Sequence, residues 1–485
     1  MPARPRFLRP PPGPLRLHLA LAATLLAGCA AGPDYQPPAP PSSQHYTPAA
    51  PDTQAPASAA AALPGPWWEQ LQSPALNALI TQALAASPTI AAAQATLAQA
   101  QALEQAQART RAWPQVDASV GAQRQQTTPA LQGQSGEPRS FNLYSANVQV
   151  RWQADLSGAQ QRTLQALAAR TRWRAHELAG ARLQLAGHLA TTAIARARLH
   201  AQWTATQALA QQQDALAALA EQRLRLGQAS ADEAQSLQAQ AALTRASLAP
   251  LQLQLQQTEH LLAVLAGQAP AEAPLAPFTL QELHAPPPWP QVLPSELVRR
   301  RPDIQASEAL LHAAHAERGA TLARRYPQLQ LQLSASLGSQ ALTTGALFGT
   351  GAAVWALGGQ LAQPLFNPAQ SAQEDAAQAA LQAAAAQYQG VVLQALRQVA
   401  DALRAMEHGA QQQQALDEAA HAAHAAAHTV QQRYRLGAAS YAQLLLAQQQ
   451  ATQAALQQAQ GRAQRLSDSV ALSVALGGFE GENRP

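Results

Sequence analysis

The sequence contains no lysine, so all 32 of its basic residues are arginine. That absence excludes a lysine-dependent phosphate loop, a Schiff base and a pyridoxal-phosphate site. One cysteine, Cys29, leaves no internal disulfide and no cysteine zinc site. Charged residues are 12% of the chain, against about 25% in ordinary globular proteins, and aromatics are 4%, too few for one thick core. The first 28 residues hold no acid but four arginines (Arg4, Arg6, Arg9, Arg16). Subtracting those four from the net charge of +4 leaves the rest at formal zero, so no attraction to nucleic acid follows. No acid–base or nucleophile constellation stands out, and an enzyme is not expected. His176-Glu177 is followed by Gly180 where a hydrolytic zinc helix needs its second histidine.

What is present in excess is alanine and glutamine, as in Gln211–Ala220 and Gln411–Ala415. Both favour helix but give little core, which predicts long helices packed closely through small side chains.

The N-terminus reads as an address. Residues 1–16 are rich in arginine and proline, 17–27 are mostly apolar, and Leu26-Ala27-Gly28-Cys29 closes the segment. A basic stretch, a short apolar run and small residues at the cut describe a signal peptide over 1–28. The apolar run is too short to span a membrane. Leu-Ala-Gly-Cys resembles a bacterial lipobox, in which Cys29 carries a diacylglycerol and an N-acyl chain. The alternative is an ordinary signal peptide with a buried cysteine. Several acyl chains, at ~0.8 kcal/mol per buried CH₂, would anchor the chain lastingly. Ala30 rather than aspartate after that cysteine favours export to the outer membrane in bacterial lipoproteins. Residues 29–66, rich in Pro, Ala and Ser, read as an extended tether.

The remainder is one unit written twice. Ser87-Pro88-Thr89-Ile90 matches Arg301-Pro302-Asp303-Ile304, Trp113-Pro114-Gln115-Val116 matches Tyr326-Pro327-Gln328-Leu329, and Leu226–Ser230 matches Leu436–Ser440. The offsets are 214, 213 and 210, always in the same order. The repeats span 67–268 and 294–478, joined by a Pro-rich connector at 269–293 and followed by a tail at 479–485.

Each repeat holds two strand-like segments. In 328–337, Leu329, Leu331, Leu333, Ala335 and Leu337 alternate with Gln and Ser; in 143–152, Tyr144, Ala146, Val148, Val150 and Trp152 share one phase. Tyr144 and Trp152 stand at the two ends of that stripe, as interfacial aromatics do in outer-membrane barrels. Residues 115–123 and 353–363 are weaker partners, with 126–141 and 341–352 as loops. Alternation alone also fits a soluble sheet with one wet face; the export signal favours a membrane barrel. Four strands cannot close, and open edges are not tolerated in lipid, so several chains must share one barrel. Two chains would give eight strands and three would give twelve.

Each strand pair leads into a long helix. Asn367-Pro368 supplies an N-cap with proline at the first helical position. Residues 369–436 and 159–226 are both 68 long, free of proline, with two glycines each: Gly390 and Gly409, Gly180 and Gly187. Each predicts a helix about 100 Å long. Gly227 and Gly437 carry the C-terminal glycine signature, and Ser230-x-x-Glu233 and Ser440-x-x-Gln443 read as capping boxes that restart the chain.

The chain resembles the TolC superfamily of outer-membrane factors, in its lipoprotein branch serving resistance–nodulation–division (RND) efflux pumps, the NodT-like group. The residues that carry the resemblance are Gly32-Pro33-Asp34-Tyr35, Trp67-Trp68, Leu293-Pro294-Ser295-Glu296-Leu297-Val298-Arg299-Arg300-Arg301-Pro302-Asp303-Ile304, Pro364-Leu365-Phe366, Arg433-Tyr434-Arg435-Leu436-Gly437 and Ala475-Leu476-Gly477-Gly478. It implies an α+β membrane protein: a homotrimer with a 12-stranded barrel in the outer membrane and a helical tunnel in the periplasm. It also implies passive export driven by an inner-membrane RND-type pump. The turns at Gly227, Ser230, Gly437 and Ser440 would be tips meeting a periplasmic adaptor (membrane fusion) protein. Many members carry aspartates just after the second tip; here those positions are Gln443 and Leu446, and acid follows the first tip instead, at Asp232 and Glu233. A constriction is expected near these four residues, without a cation-binding aspartate ring.

Three rival readings fit parts of the sequence. His421, His424 and His428 lie near one face of a predicted helix and suit copper or zinc, as in a heavy-metal efflux channel. Met406 is the sole methionine beyond Met1, which argues against a methionine relay. A type I secretion duct and a coiled-coil lipoprotein without a pore are the others; the last leaves the paired strands unexplained. The transported substrate is not readable.

Overall fold

The computed structural model describes residues 33–39, 41–42, 45–46, 66–128, 135–271, 278–285, 294–341, 343, 345 and 353–478. The signal segment, Cys29, Gly32, most of the tether, Leu293 and the tail lie outside the described residues. So do parts of the connector and of both strand-to-strand connections.

The chain divides into two compact units. The first contains residues 98–173 and 308–387 with the start of the tether. Its centre is a four-stranded antiparallel sheet of β1 (Gln115–Thr127), β2 (Arg139–Ala154), β3 (Gln328–Ala341) and β4 (Ala353–Ala362), in the order β1-β2-β3-β4. β1 and β2 run further than the alternation in sequence indicates. Arg124 to Thr127 are polar on both faces and Phe141 stands in the phase opposite to that of Tyr144 and Val148, yet the strands pair rung by rung up to Thr127 opposite Arg139. The hydrogen-bonded ladder continues where the hydrophobic pattern has stopped, so the loop between these strands is shorter than 126–141. A register shift interrupts the β2–β3 ladder between Tyr144 and Ala146.

The second unit contains residues 38–97, 174–307 and 388–485 and is helical. After a short 3₁₀ turn at Trp67–Leu71 come α1 (Pro74–Ala86) and α2 (Pro88–Ala112), the latter continuing into the first unit. Ser73 caps α1 by accepting from the Leu76 amide, and Pro74 fills the first helical position, where its missing N–H costs nothing. The two long helices are α3 (Ala159–Arg225) and α8 (Pro368–Arg435); each begins in the first unit and ends in the second. The Asn367 side chain accepts from the Ala369 amide and so caps α8. The remaining helices are α4 (Ala231–Ala246), α5 (Leu248–Leu265), α6 (Pro294–Arg300), α7 (Pro302–Ala323) and α9 (Tyr441–Ala475).

The return helix of the second repeat is unbroken, whereas that of the first breaks at Ser247. Pro250 has no N–H for the Ala246 carbonyl, and its ring crowds that carbonyl, so α4 ends there.

Alanine makes the seam of this unit. Ala186, Ala190, Ala193 and Ala197 of α3 are all at most 1% exposed, at spacings of three and four. Gly187 interrupts α3 for a reason visible only in three dimensions: a Cβ there would stand 2.9 Å from Val474 Cγ2. Larger side chains close the seam at one cluster. Trp67, Leu71, Leu76 and Ile80 pack with Leu189, Ile194, Leu262, Phe278 and Leu283, and Trp67 meets Trp68 edge to face.

The two repeats end alike. Gly267 and Gly477 both close a helix with positive φ, and their following amides reach back to Ala263 and Ser473. A Cβ on Gly267 would lie 2.7 Å from the Ala86 carbonyl oxygen; on Gly477 it would lie 3.0 Å from that of Arg300. Ala86 and Arg300 stand just before the matched Ser87-Pro88 and Arg301-Pro302, so the repeat is written in contacts as well as in residues. At the second junction Arg301 replaces Ser87. Its buried guanidinium donates to Ala475 O at 2.8 Å, to Gln398 Oε1 at 2.7 Å and to both Asp303 oxygens.

Candidate functional site

Read across the four strands, the sheet has two faces. One rung runs Ala118–Val148–Ala335–Trp355 and another runs Val116–Val150–Leu333–Leu357. The intervening rungs run Asp117–Gln149–Ser334–Ala356 and Gln115–Arg151–Gln332–Gly358. The strand period of two therefore keeps one phase apolar across all strands and the other polar, most weakly so in β4. Much of the apolar phase is exposed among the described residues: Val120 is 85% exposed, Trp355 73% and Leu357 72%. An exposed apolar face on this scale requires an apolar surrounding, which a bilayer supplies.

Aromatics mark one end of that face. Trp113 and Tyr326, the matched residues just before β1 and β3, are exposed, and Trp152 Nε1 donates to the Arg111 carbonyl at 3.3 Å. An apolar ring with a polar edge suits the lipid–water boundary. On the polar face Arg151 donates to Asp117 at 2.6 Å, a pair with both side chains partly solvated. Sequence reasoning missed this pair, although both residues fall in the polar phase of adjoining strands.

The second candidate site is the two helix turns. Gly227 has φ +68° and Gly437 φ +72°, both left-handed, and neither would meet a neighbour if given a Cβ. Gln228 N donates to Arg223 O and Ala438 N to Arg433 O, both at 2.8 Å, while the glycine amides reach the carbonyls of Leu224 and Tyr434. This double bond pattern satisfies the carbonyls that end each helix. Ser440 and Gln443 form the full reciprocal capping box. At Ser230 the box is half made: its hydroxyl accepts from the Glu233 amide, and the return bond is not formed among the described residues. The Glu233 charge instead acts on Tyr441. Burial pushes that phenol up to about 12, with Tyr434 and Glu233 adding to the rise. Tyr441 meets Tyr434 edge-on at 6.1 Å, and the Arg223 guanidinium lies 6.0 Å from the Tyr434 ring centroid. Sequence reasoning did not find this aromatic contact, since Tyr434 and Tyr441 flank the turn in a line that gives no sign of their meeting. Leu226 and Leu436, just before the glycines, are 66% and 84% exposed.

The other sequence-predicted positions fall as follows. Asp232, Glu233 and Gln443 are exposed, and Leu446, 56% exposed, lines a groove of about 400 Å³ with Gln213, Gln240 and Gln453. Gln213 is 2% exposed, and neither end of its amide has a partner among the described residues. His421, His424 and His428 are exposed on α8, and among the described residues no group of three or more donors is placed to hold a metal ion. Cys29 lies outside the described residues.

A sheet with an outward apolar phase, an inward polar phase and two unpaired edges is part of the wall of a transmembrane β-barrel, here carried on long helices. The family model described as outer membrane efflux protein matches residues 79–268 and again 293–478. The probable efflux pump outer membrane protein TtgC of Pseudomonas putida is 31% identical over 403 residues, 80% of each chain. The pyoverdine export outer membrane protein OpmQ of Pseudomonas putida is 31% identical over 438 residues, 87% of this chain and 90% of that one. Among solved structures, the outer-membrane channel OprN aligns with a TM-score of 0.81 at 26% identity, covering 93% of this chain and 99% of that one. VceC of Vibrio cholerae aligns with a TM-score of 0.75 at 26% identity, covering 85% and 99%. The chain belongs to the outer membrane efflux protein family, and its work is that of a channel in the outer membrane.

Proposed function

We propose that three copies of this chain form the exit duct of a tripartite RND-type efflux pump, closing a 12-stranded barrel between β4 of one copy and β1 of the next. The observation that carries this reading is the sheet itself: one apolar face, an opposite face that is polar in three of the four strands, and two free edges, which lipid does not tolerate open. A periplasmic adaptor docks on the turns at Gly227–Ser230 and Gly437–Ser440, with the exposed Leu226 and Leu436 as apolar contacts. The pump in the inner membrane supplies the energy. Asp232, Glu233, Gln443 and Leu446 lie just beyond the turns, where the closed duct narrows. A lining mostly of Gln, Ser and Ala, in which Arg151 and Asp117 neutralise each other, has little chemical preference, so selection among substrates belongs to the pump.

The test is electrical. The purified oligomer in a planar bilayer is expected to give discrete conductance steps, and a silent protein that is nonetheless trimeric and folded would end the channel reading.

Cys29 is the lipid-bearing N-terminus in this proposal, supported by the Leu-Ala-Gly-Cys sequence and by its being the one cysteine in the chain. Cys29→Ser is expected to lose all acyl label while the strands still insert. Acyl label persisting on that variant would remove the lipoprotein reading and leave the channel untouched.

A further inference from the structure

The start of the tether is held in place by side chains of the first unit. Arg162 of α3, 4% exposed, donates from Nη2 to the Pro33 carbonyl at 3.3 Å and to Asp34 Oδ1 at 3.2 Å. Tyr35 lies flat on His312 of α7, with centroids 4.3 Å and planes 11° apart, and meets His315 edge-on at 5.7 Å. Arg172 of α3 approaches His312 Nδ1 with its Nη2 at 2.9 Å. A guanidinium only donates, so this nitrogen accepts, and the bonded ring is neutral with its proton on Nε2. A proton on Nδ1 would set donor against donor and cation against cation.

We propose that this face of α3 and α7 is a docking site for the chain's own N-terminal segment, and that acid releases the segment from it. The lipid half of the consequence rests on the Cys29 reading above; the docking does not. Tyr35 is six positions after Cys29, a reach of about 20 Å at full extension. The docked segment therefore limits how far this face can stand off from the leaflet holding the acyl chains. Once Tyr35 lets go, that limit no longer applies.

The charges around the two rings set the direction. Burial, Arg172, His315 and Arg162 hold His312 below the usual imidazole range. Burial, Arg162 and Arg318 do the same to His315, and Asp34 opposes them. Undocking leaves the arginines where they are. It removes the cover of Tyr35 from His312, which is lowered first by burial, so His312 takes up a proton more readily undocked, while His315 loses burial and the opposing Asp34 together. Docking is complete above the ordinary imidazole value, near 6.5, and is lost as pH falls from there through the lowered values.

A nitroxide on Gln36→Cys reads the segment in the full-length channel in lipid nanodiscs, since an acylated Cys29 leaves this as the one free thiol. The label is expected to be immobilised at pH 7.5, with a mobile fraction several-fold larger at pH 5. His312→Phe with His315→Gln keeps an aromatic ring under Tyr35 and removes both titrations; its label is expected to stay immobilised at both pH values. Asp34→Ala with Tyr35→Ala changes only the tether, so the body stays folded, and its label is expected to be mobile at both. A parent label mobile at pH 7.5 would overturn the docking, and one immobilised at both pH values would overturn the acid release. The intact mass of the same sample reports acylation of Cys29 independently, which separates failure of the lipid reading from failure of the docking.

Discussion

Gly227 and Gly267 each close a helix with φ above +60°, yet a side chain would meet different surroundings at the two. At Gly227 there is open space, so Gly227→Ala is expected to cost only the left-handed backbone, about 1–2 kcal/mol. At Gly267 the new Cβ would also press on the Ala86 carbonyl, adding roughly 1–3 kcal/mol of overpacking. Thermal unfolding midpoints of the two purified variants check this: Gly267→Ala should fall clearly further, and equal falls would refute the contact. The two glycines also differ in legibility. Gly227 ends a proline-free run and is followed by a serine cap, which is local information. What Gly267 and Gly187 touch depends on residues far away in the chain, Ala86 and Val474, and only packing reveals it. Arg301 is similar: its place in a recognisable motif was evident, but its grip on Ala475 and Gln398 was not.

At the scale of the element, the two faces of the sheet predict opposite responses to the same charge. Leu331→Arg or Val148→Arg is expected to cost roughly 2–4 kcal/mol if near the bilayer midplane, and Gln330→Arg or Gln149→Arg much less. Heat resistance of the folded oligomer, compared across the four variants, measures it; equal damage on both faces would mean the assignment of inside and outside is wrong. The alternation that fixes this was plain in β3, where leucine and glutamine take turns, and fainter in β4, where glycines and alanines blur the two phases. The outer end of β1 carries no alternation and that of β2 has Phe141 and Leu143 in the opposite phase, so there the partner strand rather than a shared apolar face holds the chain extended. The serine at each tip promised two identical caps, but Glu233 lies near Tyr441 and completes only half of its box. The break at Ser247 is in principle readable from Pro250, since a missing N–H within a helix always orphans the carbonyl four residues back.

For the molecule as a whole, the proposed division of labour places lipid contact in the sheet and adaptor contact in the helix turns. Gly227→Val with Gly437→Val forces a branched side chain into the left-handed region at both turns, while leaving every residue of the sheet unchanged. The expected result is normal assembly in the outer membrane, with loss of efflux and of crosslinking to the adaptor. Failure to assemble would make these glycines supports of the entire fold, and normal efflux would place the adaptor elsewhere. Most of the architecture was legible because it is repeated, and the repeat doubles each local signal. The docked tether was not, because Tyr35 is one aromatic in a proline-rich stretch and nothing in its neighbourhood names His312.

The free edges of β1 and β4 have a genetic corollary. In the proposed trimer each copy finishes its neighbour's wall, so a ring is only as good as its worst member. With sound and tip-damaged copies made in equal amounts and mixing at random, about one ring of three in eight is free of damage. A damaged allele that still assembles would therefore poison its partner's product and behave as dominant, whereas one that cannot pair its edges would drop out of the rings and go unnoticed.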